Sequence, residues 1–342
     1  MMTTAQRKER IDRPIKAVTD DIFCVSSFRE ISYLIFPRVI PIIGLVLISI
    51  FVPLYWKKVM IITFMMAIMA LSWDFLASCG LVSLGHALFF ALGAYSSGAL
   101  NHYFGFPVYL SIPLGTLSGA FLSTICLYPA LRLRGIYFSM VTLITPLMLL
   151  RVVEATKIMG GTEGITALSP LPALPYTTTL AMLALWVAFF GLRRFINSDY
   201  GLIFNALKDN DRAVEASGLN IVWFKVQAVF IGSGIAAFCG AFMAHYYMSV
   251  GMSAFALDLS VFPIASSIVG GVGTLAGPLL GTLILSPLSE ALRAFGTFRI
   301  VIYAALLGTF IAVLPEGLFH YLARKYHQIE RWVEVSVGIS GD

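Results

Sequence analysis

Three residues carry chemistry that their surroundings do not explain: Asp74, His86 and Glu163. Asp74 lies within an apolar run from Met60 to about Ala77, where an ionisable group is costly enough to be a candidate for an ion or solute pathway. A bond to Ser72, Ser78 or nearby backbone is the plainer alternative for it. His86 follows the glycine-rich stretch Cys79-Gly80-Leu81-Val82-Ser83-Leu84-Gly85, where it can line a pathway with Ser83 and Gly85 or act as a hydrogen-bonded packing residue. Glu163, between glycines in Gly160-Gly161-Thr162-Glu163-Gly164, suits an exposed loop, either solvated or meeting a partner. None of these forms a catalytic set. The sequence contains no G-x-x-x-x-G-K-[ST] and no Gly-Lys dipeptide, so any ATP and magnesium must be held by another subunit, and no cofactor is expected here. No serine elbow, H-E-x-x-H helix or carboxylate pair is present, so the chain is not expected to be an enzyme. Of the 4 cysteines, Cys79, Cys126 and Cys239 lie in or beside apolar runs and Cys24 in a basic tail; no two have metal-ligand spacing.

The elements around these residues follow from composition. At 58% hydrophobic and 12% charged over 342 residues, the chain is too apolar for a soluble protein. Its apolar runs are about 20 residues long, the length that crosses a hydrocarbon core as a helix, whereas barrel strands alternate in segments of about ten. The net charge of +5 comes from basic residues spaced between apolar runs, which fits positive-inside bias and not nucleic-acid binding.

An all-α polytopic membrane protein of about ten segments is therefore expected. Residues 1–30 form a basic cytoplasmic tail without a cleavable signal peptide. Apolar segments follow at about Leu34–Leu54, Met60–Ala77, Cys79–Tyr95, whose glycines and small polar residues suit a broken, re-entrant or closely packed helix as well as a full span, then Val108–Tyr128, Ile136–Leu150 and Thr178–Leu192. Beyond a charged island come Gln227–Met248, Leu259–Gly270, Pro278–Leu292 and Arg299–Leu318, and residues 321–342 form a cytoplasmic C-terminal tail. The loop from Arg151 to Pro175 should be external. The N-tail, the 132–134 turn, the island and the C-tail hold six, two, five and three basic residues. The other side holds six, Lys57, Lys58, Arg151, Lys157, Arg293 and Arg299, which places both termini inside. Division at the 151–175 loop leaves five segments on each side, and an odd number inverts the second half, as in transporters built from inverted repeats. Gly273, Gly277 and Gly281 permit close helix approach, and with Gly270, Gly271 and Pro278 they suit helix packing or a tight cytoplasmic hairpin.

The island, Arg193–Lys225, packs nine charged residues into 33 positions within the membrane domain of residues 31–320. Leu202, Ile203, Ala206, Leu207, Ala213 and Val214 recur at roughly helical spacing, Asp199 can cap the start and Gly218 can end it.

Glu215-Ala216-Ser217-Gly218-Leu219-Asn220 resembles the "EAA" coupling loop of bacterial ABC importer permeases, which implies an ATPase contact through Leu207, Arg212, Glu215, Ala216 and Gly218. Five further stretches, in order, resemble the LivM branch of the branched-chain amino acid ABC permeases. They are Leu71-Ser72-Trp73 with Ser83-Leu84-Gly85-His86 and Gly93-Ala94-Tyr95, then Pro129 to Tyr137, Gly160 to Ile165, Gly218-Leu219-Asn220 with Lys225, and Gly270 to Thr274 with Gly277-Pro278. The resemblance covers about residues 60–320. It implies a type II-like importer permease in a bacterial inner membrane. Expected partners are a LivH-like second permease subunit, two LivG/LivF-like ATP-binding cassette subunits and a periplasmic solute-binding protein. Asp74, Cys79 and Phe262-Pro263 depart from the family pattern. The expected cargo therefore widens from branched-chain amino acids to small amides, urea and carboxylates. The alternative from the residues alone is a secondary transporter with Asp74 coupling an ion.

Overall fold

The first long helix among the described residues, α1 (Leu54–Ser78), begins after Pro53, whose extended backbone starts a helix without needing an amide donor. Its 25 residues rise about 37 Å, enough to cross a bilayer core. The structure is a computed structural model, and it describes residues 4–10, 44–45, 52–296, 298–314, 316–327 and 330–336. The expected first span, about Leu34–Leu54, lies almost entirely outside the described residues.

The chain divides into two units. One, residues 1–52 and 319–342, contains an antiparallel ribbon that pairs β1 (Thr4–Arg10) with β2 (Glu330–Ser336), from Thr4 opposite Ser336 to Arg10 opposite Glu330. This ribbon is the exception to the all-α expectation, and it falls in the two polar tails.

The other unit, residues 53–318, is helical. After α1 come α2 (His86–Phe104), α3 (Val108–Leu127, continued as a 3-10 turn to Arg132), α4 (Ile136–Thr156) and α5 (Leu174–Ile196). The island folds as α6 (Asp199–Asp209) and α7 (Asp211–Ala216). Then follow α8 (Ile221–Tyr247), α9 (Asp258–Gly270), α10 (Ala276–Ala291) and α11 (Phe298–Val313). Among the described residues, five helices are long and apolar enough to cross a membrane: α1, α3 with its 3-10 extension, α4, α5 and α8. The chain is thus a multi-pass membrane protein.

Several helices outrun their apolar stretches. α1 begins six residues before Met60, α4 runs past Arg151 to Thr156 with an Arg151–Glu154 pair at 2.7 Å, and the expected 151–175 loop shrinks to the residues between α4 and α5. Hydropathy marks the oily part of a helix, while its hydrogen-bond ladder continues into polar ends where lysine and arginine reach water. Lys57 and Lys58, counted above on the external side, lie in the first turns of α1.

The centre is built around α1, buried from Val59 to Ala77 on nearly every face by α5, α8, α9 and α10. Beside it α2, α3 and α8 pack at small residues. A Cβ at Gly93 would fall 2.1 Å from the Ala237 carbonyl oxygen, and one at Gly240 would fall 1.9 Å from that of Phe90. Close helix approach of this kind gains dispersion contacts that lipid cannot supply. By contrast α4 and α5 present mostly exposed apolar faces.

Candidate functional site

Between α1 and α2 the chain leaves helical geometry at Cys79 to Gly85, and Gly80 permits the turn with φ +78°. The freed backbone groups must find partners if they are not to face lipid. They do so on three helices. The indole of Trp73 on α1 donates to the Ser83 carbonyl at 2.7 Å. From α4, Ser139 donates to the Val82 carbonyl at 2.7 Å, and Thr142 Oγ1 accepts from the Leu84 amide at 3.1 Å. Ser260 Oγ on α9 accepts from the Ala87 amide at 2.9 Å. Gly85 lets α4 come this close, since a Cβ there would lie 1.7 Å from the Thr142 carbonyl oxygen. Ser83, Gly85 and His86 therefore come together, with Ser139, Thr142 and Ser260 as bracing hydroxyls that the sequence reading missed. Those hydroxyls look unremarkable in apolar runs, where serine and threonine usually bond their own helix.

His86 is fully buried, and its Nε2 lies 3.0 Å from Ser72 Oγ. Ser72 has one proton and gives it to the Gly232 carbonyl at 2.7 Å, so Nε2 carries the ring proton and Nδ1 is the acceptor. Nδ1 has no hydrogen-bond partner among the described residues.

Asp74 is buried 12 residues before His86, and both of its oxygens are engaged. Oδ1 accepts from the Gly273 amide at 2.6 Å and Oδ2 from the Leu275 amide at 3.1 Å. The carboxylate thus holds the turn between α9 and α10. Within that turn Gly273 takes φ +83° and Gly271 φ +116°, Thr274 Oγ1 bridges the Gly271 carbonyl and the Gly277 amide, and Gly281 fits against the Ser266 carbonyl. Gly270, Gly271, Gly273, Gly277 and Pro278 accordingly lie in one hairpin, and a Cβ at Gly270 would meet the Gly277 oxygen at 1.8 Å. The tie to Asp74 crosses about 200 residues of sequence, so no local pattern discloses it.

The island differs from one amphipathic helix. Asn210 leaves helical geometry (φ −157°, ψ 96°), splitting it into α6 and α7. Ser198, not Asp199, occupies the cap position, and Asp199 is the first helical residue, where its charge favours the helix dipole. Gly218 follows α7 at φ +83° in open space, as a left-handed C-terminal glycine does. Glu215, Ala216 and Gly218 are exposed, whereas Leu207 is buried, with its carbonyl and Lys208 against Gly80. Arg212 lies on α7. Asp211 Oδ2 meets Lys225 Nζ at 2.8 Å and Arg134 Nε at 3.5 Å. These groups line a cavity of about 330 Å³ that also touches Gly80, Phe138 and Lys208.

A second polar cluster, also missed, lies at the other end of α2 and α8. His245 Nδ1 sits 2.9 Å from the Ser169 carbonyl, and its Nε2 lies 2.8 Å from Ser111 Oγ and 3.1 Å from Ser97 Oγ. Asn101 receives the Ser169 amide at 2.9 Å. The segment carrying Glu163 joins here through paired Ile165 and Val250 amides, both bonds 2.8 Å. A lone histidine in the apolar run 227–248 was the available signal, by the same logic that singles out Asp74.

A family described as "Branched-chain amino acid transport system / permease component" matches residues 56–314. The chain is similar to the high-affinity branched-chain amino acid transport system permease protein LivM of Salmonella typhimurium, 26% identical over 270 residues that cover 70% of this chain and 64% of that protein. It is similar to LivM of Escherichia coli at 25% identity, with the same 70% and 64% coverage. The chain therefore spans a little under two thirds of the length of these relatives. No solved structure matches it.

Proposed function

Because this chain belongs to the branched-chain amino acid transport permease family, we propose that it is a membrane permease subunit of an ATP-driven importer. Its cargo would be a branched-chain amino acid or a related small amide, urea or carboxylate solute. The observation that carries this reading is the island. Two short charged helices are seated on the membrane helices through Leu207 and Asp211, while Glu215, Ala216 and Gly218 stay exposed for a partner. That partner would be one of two ATP-binding cassette subunits, which would hold ATP and magnesium. A second, LivH-like permease subunit and a periplasmic solute-binding protein would complete the assembly in a bacterial inner membrane. The solute pathway would run beside the break at Ser83–His86, where His86 Nδ1 is a buried acceptor with no partner among the described residues.

The ten-segment, N-in and C-in arrangement with two inverted halves belongs to the same proposal. In a cysteine-free background, Lys208→Cys should react with an impermeant maleimide only from the cytoplasmic side and Glu163→Cys only from the external side. Reaction of Glu163→Cys from the cytoplasmic side alone would reject the arrangement.

Uptake itself separates the importer from an ion-driven carrier. In vesicles containing the whole assembly, solute accumulation should require ATP and should not follow an imposed proton or sodium gradient. Accumulation driven by a gradient without ATP would defeat the importer reading. The geometry disfavours that outcome, because the one buried acid among the described residues, Asp74, already spends both oxygens on backbone amides.

A further inference from the structure

We propose that α4 is a movable lever, with Asp211 joining its foot to the island helices, so that displacement of α6 and α7 is delivered to the Ser83–His86 break. The proposal rests on the importer reading and assigns a positioning role to Asp211 and Arg134.

Three observations support it. First, α4 is lightly held: its buried residues are Phe138, Ser139, Thr142 and Pro146, a single narrow stripe on 21 residues. So little fixed contact lets a helix shift as a rigid body, because only that stripe must be repacked. Second, that stripe is what grips the break. Ser139 and Thr142 bond the backbone at Val82 and Leu84, and Pro146 lies against Gly85, where a Cβ would approach its ring at 3.2 Å. A shift of α4 must therefore break or remake those bonds.

Third, the foot of α4 is tied to the island by one carboxylate oxygen. Arg134, two residues before α4 and just ahead of Gly135 at φ +55°, reaches Asp211 Oδ2, which also binds Lys225 at the start of α8. The Lys225 side chain is 8% exposed against 53% for Arg134. A buried ammonium cannot lose its partner without a large desolvation penalty, so Asp211 stays with Lys225. The solvated Arg134 side chain turns about that fixed oxygen and so carries a shift of α7 to the foot of α4, which the adjoining cavity gives room to move.

The test uses the assembled transporter in vesicles and measures solute taken up per ATP hydrolysed. Arg134→Gln cuts the tie to α4 but leaves the Asp211–Lys225 pair intact. Uptake per ATP should fall by up to about fivefold, as loss of one solvated ion pair allows, with ATP hydrolysis sustained, and Arg134→Lys should restore most of it. Thr142→Val, which releases the far end of the lever from Leu84, should uncouple in the same way. An unchanged ratio in Arg134→Gln would overturn the proposal. Parallel loss of hydrolysis and uptake in both variants would also overturn it, since that is the signature of a structural tie. Gradient-driven uptake by the unaltered chain would instead defeat the importer reading. That outcome removes the lever as well, and it is told apart from failure of the lever alone because it is read on the unaltered chain without ATP.

Discussion

Asp74→Ala is expected to leave almost no folded protein in the membrane, whereas Asp74→Asn leaves a reduced but measurable amount. The carboxylate accepts from the Gly273 and Leu275 amides at 2.6 and 3.1 Å; Asp74 and Leu275 are buried, while Gly273 is exposed. A hydrogen bond to a charged group contributes about 1.5–3 kcal/mol, and a buried donor left unpaired costs about 1–3 kcal/mol. Losing both charged hydrogen bonds and leaving the Leu275 amide buried without an acceptor takes away several kcal/mol, a large share of a net stability of about 5–15 kcal/mol. Asparagine keeps one oxygen for one amide but turns an NH2 group towards the other, so it falls between. Detergent-extracted yield and the thermal unfolding midpoint measure this. Wild-type values for Asp74→Ala would show that the hairpin does not depend on Asp74. The comparison also bears on the ion-coupled alternative, in which Asp74→Asn would lose gradient coupling while folding normally.

The second large effect is a change of sign along a single helix. On α8, Gly240→Ala should destabilise the protein strongly, while Gly234→Ala should be neutral or stabilising. At Gly240 the new Cβ would sit 1.9 Å from the Phe90 carbonyl oxygen and 3.0 Å from the Ala94 amide nitrogen, both backbone atoms that cannot step aside. Overpacking of a core ordinarily costs about 1–3 kcal/mol, and here α2 and α8 must separate along their whole contact, which places the expected loss at or above that range. At Gly234 the nearest atom is the Ala120 Cβ at 3.5 Å, an ordinary contact. There alanine gains its helix preference over glycine of about 0.5–1 kcal/mol. Unfolding midpoints of the two variants, measured side by side, decide the matter: equal midpoints would mean that α2 and α8 do not approach as closely as Gly240 implies.

How much of this could be read in advance depends on the range of the interactions involved. Apolar runs of about 20 residues fix the membrane class, because crossing the hydrocarbon core is a one-dimensional demand on length and hydropathy. Glycine at 218 and the charge density of 193–225 mark a polar island with a helix end, since capping and solvation act within a few residues. The clustering of Gly270, Gly271, Gly273 and Gly277 likewise announces a close turn or close packing, because only glycine lacks the Cβ that would collide there. Helix ends extend beyond the apolar runs wherever polar residues such as Lys57 or Arg151 continue a ladder that hydropathy does not record.

The tertiary structure decided which of the conspicuous residues have partners. Asp74 is as unusual in sequence as an ion-binding acid would be, and only the fold brings the 271–275 turn to it. The split of the island at Asn210 follows from docking, with Leu207 packed inward and Asp211 drawn to Lys225 and Arg134. The seat of α4 on the Gly85 break and the His245 cluster join residues tens to well over a hundred positions apart. Sequence thus determined where the chain meets lipid and where it must turn, which are local demands on each segment. Which buried polar group answers which depends on the helices that pack together, and that is set by close contact between distant small residues, a property no single segment carries.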